Sequence, residues 1–295
     1  MSDVRATIIV PVYQAVEDLD RCLTALERTL PAGTRVFVAD DASPDPAVPQ
    51  CIARHVASGR LQIEAVRRET NLGFVGNVNR AFAETAPDDV ILFNSDAWAT
   101  PGWYEAMMAC AASDGRIATI TPWSNNAEIC SLPDFCRAAP VPSEAEADRI
   151  ARTVRNAGSP AYPELPTGVG FCMFVRRAAL SALGDFDAAT FGRGYGEEND
   201  FCQRAAGHDW RNVLCDAAYV VHRGGASFGP EGHRPGGENL ARLTARYPHY
   251  NAQVADFILR DPLAPLRERI VAALAAAPQQ AGDGGGTQRE LFPPG

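Results

Sequence analysis

The stretch Gly196-Glu197-Glu198-Asn199-Asp200 crowds carboxylates directly behind a glycine. It is joined by Asn94-Ser95-Asp96 far upstream and by His222 shortly downstream. Folding alone has little use for that pattern, because a buried charge needs a partner and a surface charge needs no company. Chemistry has a use for it. An acidic residue at a strand end, a histidine in another strand and a glutamate opening a helix are suited to holding a divalent cation and deprotonating an alcohol.

Elements able to place those groups are legible along the chain. The continuous apolar run at 7–13 reads as a strand buried on both faces. Helical spacing of Leu19, Cys22, Leu23, Leu26 and Leu30 predicts a helix over 17–30. A strand at 35–39 ends in Asp40-Asp41-Ala42-Ser43, which reads as a turn and cap cluster. A helix at 47–57, a strand at 61–66, a helix after Asn71-Leu72-Gly73 and a strand at 89–93 follow. Strands alternating with helices predict a parallel sheet with right-handed crossovers, whose ligands sit beyond the carboxyl ends of the strands. Tyr13-Gln14, Asp40-Asp41, Asn71 and Ser95-Asp96 all fall at that edge. The second half is less regular. Helices are expected at 103–112, 143–154 and 197–206, and strands at 116–121, 169–176 and within 211–222. A glycine-rich loop at 223–237 precedes terminal helices, with an amphipathic stretch at 254–277, and a disordered tail is expected from 278. The domain reading is 1–230 for the main unit, split at residue 98 into a nucleotide-binding and an acceptor half, then a helical extension over 231–277.

A chain of 295 residues with 46% apolar side chains can bury a substantial core. A net charge of −9 makes nucleic acid an unlikely partner. It does not exclude a phosphorylated small substrate, since one bound metal reverses the local field. The eight cysteines include no C-x-x-C pair and read as reduced buried thiols, with a small zinc or disulfide loop at Cys130 and Cys136 as the lesser alternative. No signal peptide or membrane span is expected. The expected location is the cytoplasm, with at most peripheral contact at the inner membrane face; the oligomeric state stays open.

Ile9-Val10-Pro11-Val12-Tyr13, Asp40 to Ser43, Asn71-Leu72-Gly73-Phe74 with Asn79, Phe93 to Asp96, Thr167-Gly168-Val169-Gly170, Gly196 to Asp200 and Val221-His222 form an ordered set. In that order they resemble an inverting family 2 glycosyltransferase of the GT-A fold, the rhamnosyltransferase-like kind that elongates bacterial surface polysaccharides. The resemblance covers roughly residues 6–228. It implies an α/β fold with a Rossmann-like, mostly parallel central sheet flanked by helices and a mixed acceptor-side half. Two departures stand out. Many relatives carry consecutive aspartates where this chain has Asn94-Ser95-Asp96, and often aspartate where it has Glu198.

The resemblance implies roles. Glu198 becomes the catalytic base. Pro11, Tyr13, Asp41, Asn71, Gly73 and Ser95 line the nucleotide site, with Asp41 receiving the nucleobase N–H. Asp96 and His222 hold Mn²⁺ or Mg²⁺. Trp123, Gly170 and Glu197 are candidates for the acceptor side. Asn79 is expected to tie down the Asn71 loop, and Asp200 to orient a neighbouring loop. The implied reaction moves a sugar from a UDP or dTDP sugar to a hydroxyl of a glycan or lipid-linked saccharide. A dinucleotide-dependent dehydrogenase lacks its glycine fingerprint after the first strand, and a P-loop kinase lacks its lysine loop. Two alternatives remain: a sugar-nucleotide pyrophosphorylase, suggested by Gly33-Thr34-Arg35, and a non-catalytic saccharide- or nucleotide-binding module.

Overall fold

The computed structural model describes residues 5–192, 194–224 and 237–276. The strands are β1 (Ala6–Val12), β2 (Arg35–Asp40), β3 (Gln62–Arg67), β4 (Asp89–Phe93), β5 (Ala97–Ala99), β6 (Ile117–Trp123), β7 (Cys172–Val175) and β8 (Arg211–His222). They form one sheet in the order β3-β2-β1-β4-β7-β6-β8-β5. β1 runs parallel to β2 and β4, and β2 to β3. β7 lies antiparallel between β4 and β6, and β5 antiparallel to β8. The first half is therefore parallel and the second mixed, as expected.

The continuous apolar strands are explained by helices on both faces. Ile8, Val10, Val36, Val38, Ile91 and Phe93 point into one core, which α1 (Val16–Thr29), α2 (Ala47–Ser58), α4 (Trp103–Ser113) and α5 (Glu144–Asn156) cover. Their neighbours Ile9, Phe37, Ala39, Val90 and Leu92 point into the other, beneath α3 (Gly73–Glu84), α6 (Arg177–Leu183) and α8 (Glu197–Ala206). Successive side chains alternate across a strand, so each strand feeds both cores.

The turn from β1 into α1 is tight. Gln14 (φ 61°) and Ala15 (φ 52°) both adopt the left-handed conformation, which costs a non-glycine residue roughly 1–2 kcal/mol. The Gln14 N–H donates to Ser43 Oγ at 2.9 Å, so the loops after β1 and β2 hold one another at the carboxyl edge.

Some elements differ from expectation. β5 is too short to show a pattern and exists because it pairs with the end of β8. The short helices η1 (Glu128–Cys130, a 3-10 turn) and α7 (Ala188–Phe191) were not anticipated. The terminal stretch forms α9 (Gly237–Arg246), α10 (Tyr250–Arg260) and α11 (Ala264–Ala276). Asp261, at φ 40°, breaks what reads as one amphipathic run over 254–277. Phe257, Leu263 and Ile270 enter the first core, so these helices pack on the main unit. Most of the glycine-rich loop and the tail from 278 lie outside the described residues. Cys130 is buried, Cys136 is exposed and both are free, which corrects the small-loop alternative. Among the described residues no helix is long and apolar enough to cross a membrane.

Asp200, fully buried in α8, fixes α9 in place. It accepts from Arg204 Nε at 2.8 Å, Arg246 at 2.6 Å and the Tyr247 hydroxyl at 3.0 Å. Arg204 in turn donates to the Leu183 carbonyl at 2.6 Å and the Asp185 carbonyl at 2.8 Å, so Asp200 steadies the neighbouring 183–185 loop as well as α9. Asp200→Ala should destabilise the fold by about 2–3 kcal/mol, below the ~3–5 of a fully buried pair because both arginines reach water. Hydrogen exchange should show α9 opening more readily than β1; equal protection of α9 in variant and wild type would refute this.

Candidate active site

The second-half groups meet through a short run of packed neighbours. Glu198 stands in the first turn of α8, at the positive end of the helix dipole. Its carboxylate lies against Gly170, whose absent Cβ would sit 3.4 Å from Glu198 Oε1. The next residue, Phe171, stacks on the His222 ring at 5.0 Å between centroids. Its carbonyl accepts from the Asn94 N–H at 2.8 Å. Gly170 and Phe171 therefore link the Glu198 carboxylate to both His222 and the Asn94-Ser95-Asp96 segment.

Asp96 and His222 are joined by strand pairing. Ala97 in β5 is the register partner of His222 in β8, and the Arg223 N–H donates to the Asp96 carbonyl at 3.0 Å. His222 Nδ1 lies 2.7 Å from the Asn126 carbonyl, which only accepts, so Nδ1 carries the proton. Nε2 then faces Asp96 Oδ1 at 3.6 Å. That separation is long for a hydrogen bond and leaves room for a shared cation between the two atoms. A backbone carbonyl on the far ring nitrogen is also the usual support of a metal-binding histidine. The donor set, a carboxylate oxygen and an imidazole nitrogen, fits Mn²⁺ or Mg²⁺.

Buried polar atoms lacking a partner gather at the same place. They include Asn94 Oδ1, Ser95 Oγ, Glu197 Oε2 and Glu198 Oε2. Such atoms are costly unless something else engages them. Glu197 is buried, and its burial, the Glu198 charge and a hydrogen bond to Glu198 push its carboxyl well above the ordinary range. Tyr195, at φ 67°, has its hydroxyl raised first by burial, then by Glu198, Glu197 and Asp96. One phenol thus senses carboxylates from both halves of the chain.

The nucleotide-side residues form a second group. Pro11 is buried at the end of β1 and Tyr13 is half-buried just beyond it. Asp40 takes the turn role, accepting from the Ser43 N–H at 2.9 Å and from Arg67 at 2.5 Å. Asp41 reaches the next loop: its Oδ1 accepts from the Leu72 N–H at 2.7 Å, and Asn71 Nδ2 donates to its carbonyl. Burial raises the Asp41 carboxyl against the pull of the Leu72 and Gly73 N–H groups and Arg68. Gly73 N–H in turn donates to Asn71 Oδ1 at 3.1 Å.

Other expectations are corrected. Asn79 does not tie down the Asn71 loop; it exchanges two hydrogen bonds with the backbone of Phe186. The helix is anchored to the sheet by Asn77, which donates to the Ala39 carbonyl and accepts from Arg68. Trp123 is fully buried in the first core, so no indole face is open to a sugar. Several residues packed around the site were not read from the sequence: Phe171, Asn125, Asn126 and Tyr195. Ser124-Asn125-Asn126 carried the same signal as the chosen clusters, a polar triplet at the end of an apolar strand. Asn125 clamps His222 by donating to its carbonyl at 3.0 Å and accepting from its N–H at 2.9 Å.

Two other features lie apart from these motifs. A cleft of about 640 Å³ opens at the opposite, amino-terminal edge of the strands. It contains Gly33-Thr34-Arg35, but Arg35 is committed there to Glu64 and Asp88. Asp20, Cys51 and His55, between α1 and α2, bring metal-capable atoms within 4.8 Å of one another. Both His55 ring nitrogens already face carboxylates, Asp20 at 2.9 Å and Glu27 at 3.1 Å. Burial, with Asp20 beside it, pushes the Cys51 thiol up to about 11, so it stays protonated.

Residues 7–184, more than half of the chain, match the family model described as "Glycosyl transferase family 2". The chain belongs to glycosyl transferase family 2. It is a glycosyltransferase that uses nucleotide sugars. It is 26% identical over 299 residues to the N-acetylglucosaminyl-diphospho-decaprenol L-rhamnosyltransferase of Mycobacterium tuberculosis, covering 93% of this chain and 92% of that protein. The GT-A fold recurs in solved structures. One is the mannosyltransferase PcManGT from Pyrobaculum calidifontis with GDP-Man and Mn²⁺, at TM-score 0.55 and 17% identity over 93% of this chain and 76% of that one. Another is S. aureus TarS 1–349 with UDP-GlcNAc, at TM-score 0.56 and 15% identity over 92% and 79%. A third is GalNAc-T7 with UDP, GalNAc and Mn²⁺, at TM-score 0.58 and 12% identity; this chain covers 44% of its length.

Proposed function

We propose that this family 2 glycosyltransferase moves a sugar from a UDP or dTDP sugar to a hydroxyl of a glycan or lipid-linked saccharide, with inversion and with a divalent cation. The reading rests chiefly on the run of contacts Glu198–Gly170–Phe171–His222–Asp96, through which a base candidate and a candidate cation-binding pair are linked.

Glu198 takes the proton of the acceptor hydroxyl. The oxygen bonds to the anomeric carbon as the carbon–oxygen bond to the diphosphate breaks, and the electron pair leaves with the nucleoside diphosphate. Attack from the opposite face inverts the anomeric centre. Asp41, Asn71 and Gly73 hold the base end of the nucleotide, Pro11 and Tyr13 flank it, and Ser95 meets the ribose. Asp96 and His222 would hold Mn²⁺ or Mg²⁺, which supplies counter-charge to the departing diphosphate.

The Mycobacterium relative's name points to an acceptor of N-acetylglucosaminyl diphosphate on a polyprenyl chain and to rhamnose as the sugar moved. Pyrophosphorylase chemistry loses support because Gly33-Thr34-Arg35 stands at the wrong edge of the sheet. The test is a screen of UDP and dTDP sugars, rhamnose included, following nucleoside diphosphate release with and without Mn²⁺. Metal-stimulated release from at least one donor, raised by a saccharide acceptor, is expected. Release of pyrophosphate from a nucleoside triphosphate plus a sugar phosphate, with no diphosphate from any sugar nucleotide, would overturn the reading.

A further inference from the structure

Asp20, Cys51 and His55 meet more closely than the packing of α1 on α2 requires. α1 supplies Asp20 and Glu27, and α2 supplies Cys51 and His55, four residues apart and so on one face. Three groups converge on a single oxygen. Asp20 Oδ1 lies 2.9 Å from His55 Nε2, 3.5 Å from Cys51 Sγ and 3.1 Å from Arg54 Nη2. Across the ring, His55 Nδ1 lies 3.1 Å from Glu27 Oε1. Ser58 Oγ donates to that same Glu27 oxygen at 2.6 Å and fixes it.

The hydrogen bonds leave two arrangements. An ionised carboxylate only accepts, so Glu27 holds a proton on Nδ1. Nε2 then meets a second carboxylate. Either the ring carries both protons and bridges Asp20 and Glu27, or Nε2 keeps its lone pair and a metal cation stands between it and Asp20. The second arrangement also employs Cys51, whose buried sulfur a histidine bridge leaves idle. One ligand atom from each of Asp20, Cys51 and His55 falls in a group no wider than 4.8 Å. A carboxylate on the far ring nitrogen is the usual outer support of a metal-binding histidine. At zinc–ligand bonds of about 2.0–2.3 Å, tetrahedral neighbours stand roughly 3.3–3.7 Å apart. Cys51 and Asp20 already have that spacing, and His55 and Asp20 must open by about 0.5 Å. Asp20 and Arg54 are both exposed enough to yield.

We propose that Asp20, Cys51 and His55 form a zinc site, with Glu27 orienting the His55 ring and solvent supplying the fourth ligand. Thiolate and imidazole donors select Zn²⁺ over Mn²⁺ or Mg²⁺, so the site differs in chemistry from Asp96 and His222. Burial, with Asp20 beside it, pushes the free Cys51 thiol up to about 11. As the sulfur–zinc bond forms, the thiol proton passes to solvent. The ion ties α1 to α2 over the face of the sheet that both helices cover.

The experiment uses the full chain, stripped with a chelator and titrated with Zn²⁺ and separately with Co²⁺. Zinc binding with release of about one proton is expected. Cobalt should give a thiolate charge-transfer band in the near ultraviolet, which Asp96 and His222 cannot produce because neither contains sulfur. Asp96→Ala should keep that band. Cys51→Ala should lose it, and Cys51→Ala and Asp20→Asn should each weaken zinc binding by about a hundredfold or more. Glu27→Gln, acting only through the ring, should weaken it about tenfold. No zinc binding by the wild type, or an undiminished cobalt band in Cys51→Ala, overturns the site. Zinc affinity within about threefold of wild type in Asp20→Asn, whose substitution lies at a half-exposed position and keeps the side-chain shape, overturns it as well.

Discussion

Replacing Glu198 with glutamine should cut glycosyl transfer by orders of magnitude while nucleotide binding survives. Glutamine matches glutamate in volume, so the packing against Gly170 is kept. What is lost is the capacity to take a proton. A positioned general base contributes about 10²–10⁴-fold, or roughly 3–5 kcal/mol of barrier at ~1.4 kcal/mol per tenfold. A loss of that order in kcat is expected, with the affinity for UDP or dTDP in the presence of Mn²⁺ changed less than about threefold. Glu197 is the one neighbour able to substitute. Its raised carboxyl owes part of its shift to the Glu198 charge, so neutralising Glu198 returns it toward ionisation. Its remaining shift comes from burial, which the substitution does not relieve. A Glu198→Gln, Glu197→Gln pair therefore separates true loss from rescue. Turnover within fivefold of wild type in Glu198→Gln would end the base assignment.

Asp96→Ala removes the response to metal and, with it, most of the donor affinity. Asp96 is buried and its Oδ1 faces His222 Nε2 at 3.6 Å. The sequence departs from its family at this point, with asparagine and serine in the two preceding positions, so a single carboxylate carries the load. The measurement is thermal unfolding with and without Mn²⁺ and UDP. A ligand at a hundred times its Kd stabilises by about 2.7 kcal/mol, which should appear in wild type and vanish in Asp96→Ala and His222→Ala. Both variants should unfold near the wild-type temperature when no metal is present. A wild-type Mn²⁺ shift in Asp96→Ala would refute the ligand assignment.

Much of the scaffold was legible because its physics is local. Apolar runs marked β1, β2 and β4, and helical spacing marked α1. β4 and α8 fall at the expected limits, and most other boundaries lie within a few residues. Polar groups at strand ends then pointed to the carboxyl edge. The illegible parts depend on contacts between distant segments. β5 has no pattern of its own and owes its existence to β8. Trp123 read as a sugar platform because sequence gives no burial for a lone aromatic; β7 and β8 flank its strand and enclose it. Asn125 was invisible as a site residue because only the folded chain brings it to the His222 backbone. Asn77 and Asn79 show the limit of spacing arguments. Both lie on α3, yet one faces the sheet and the other the Phe186 segment.

The pairing of Ala97 with His222 has a consequence for how the enzyme matures. Side chains on a strand switch faces at every step, so a one-residue slip of β8 would turn the imidazole away from Asp96. A cation held by Asp96 and His222 could then bind only once β8 has locked in its proper alignment, so ion binding would act as a proofreading step on the finished sheet.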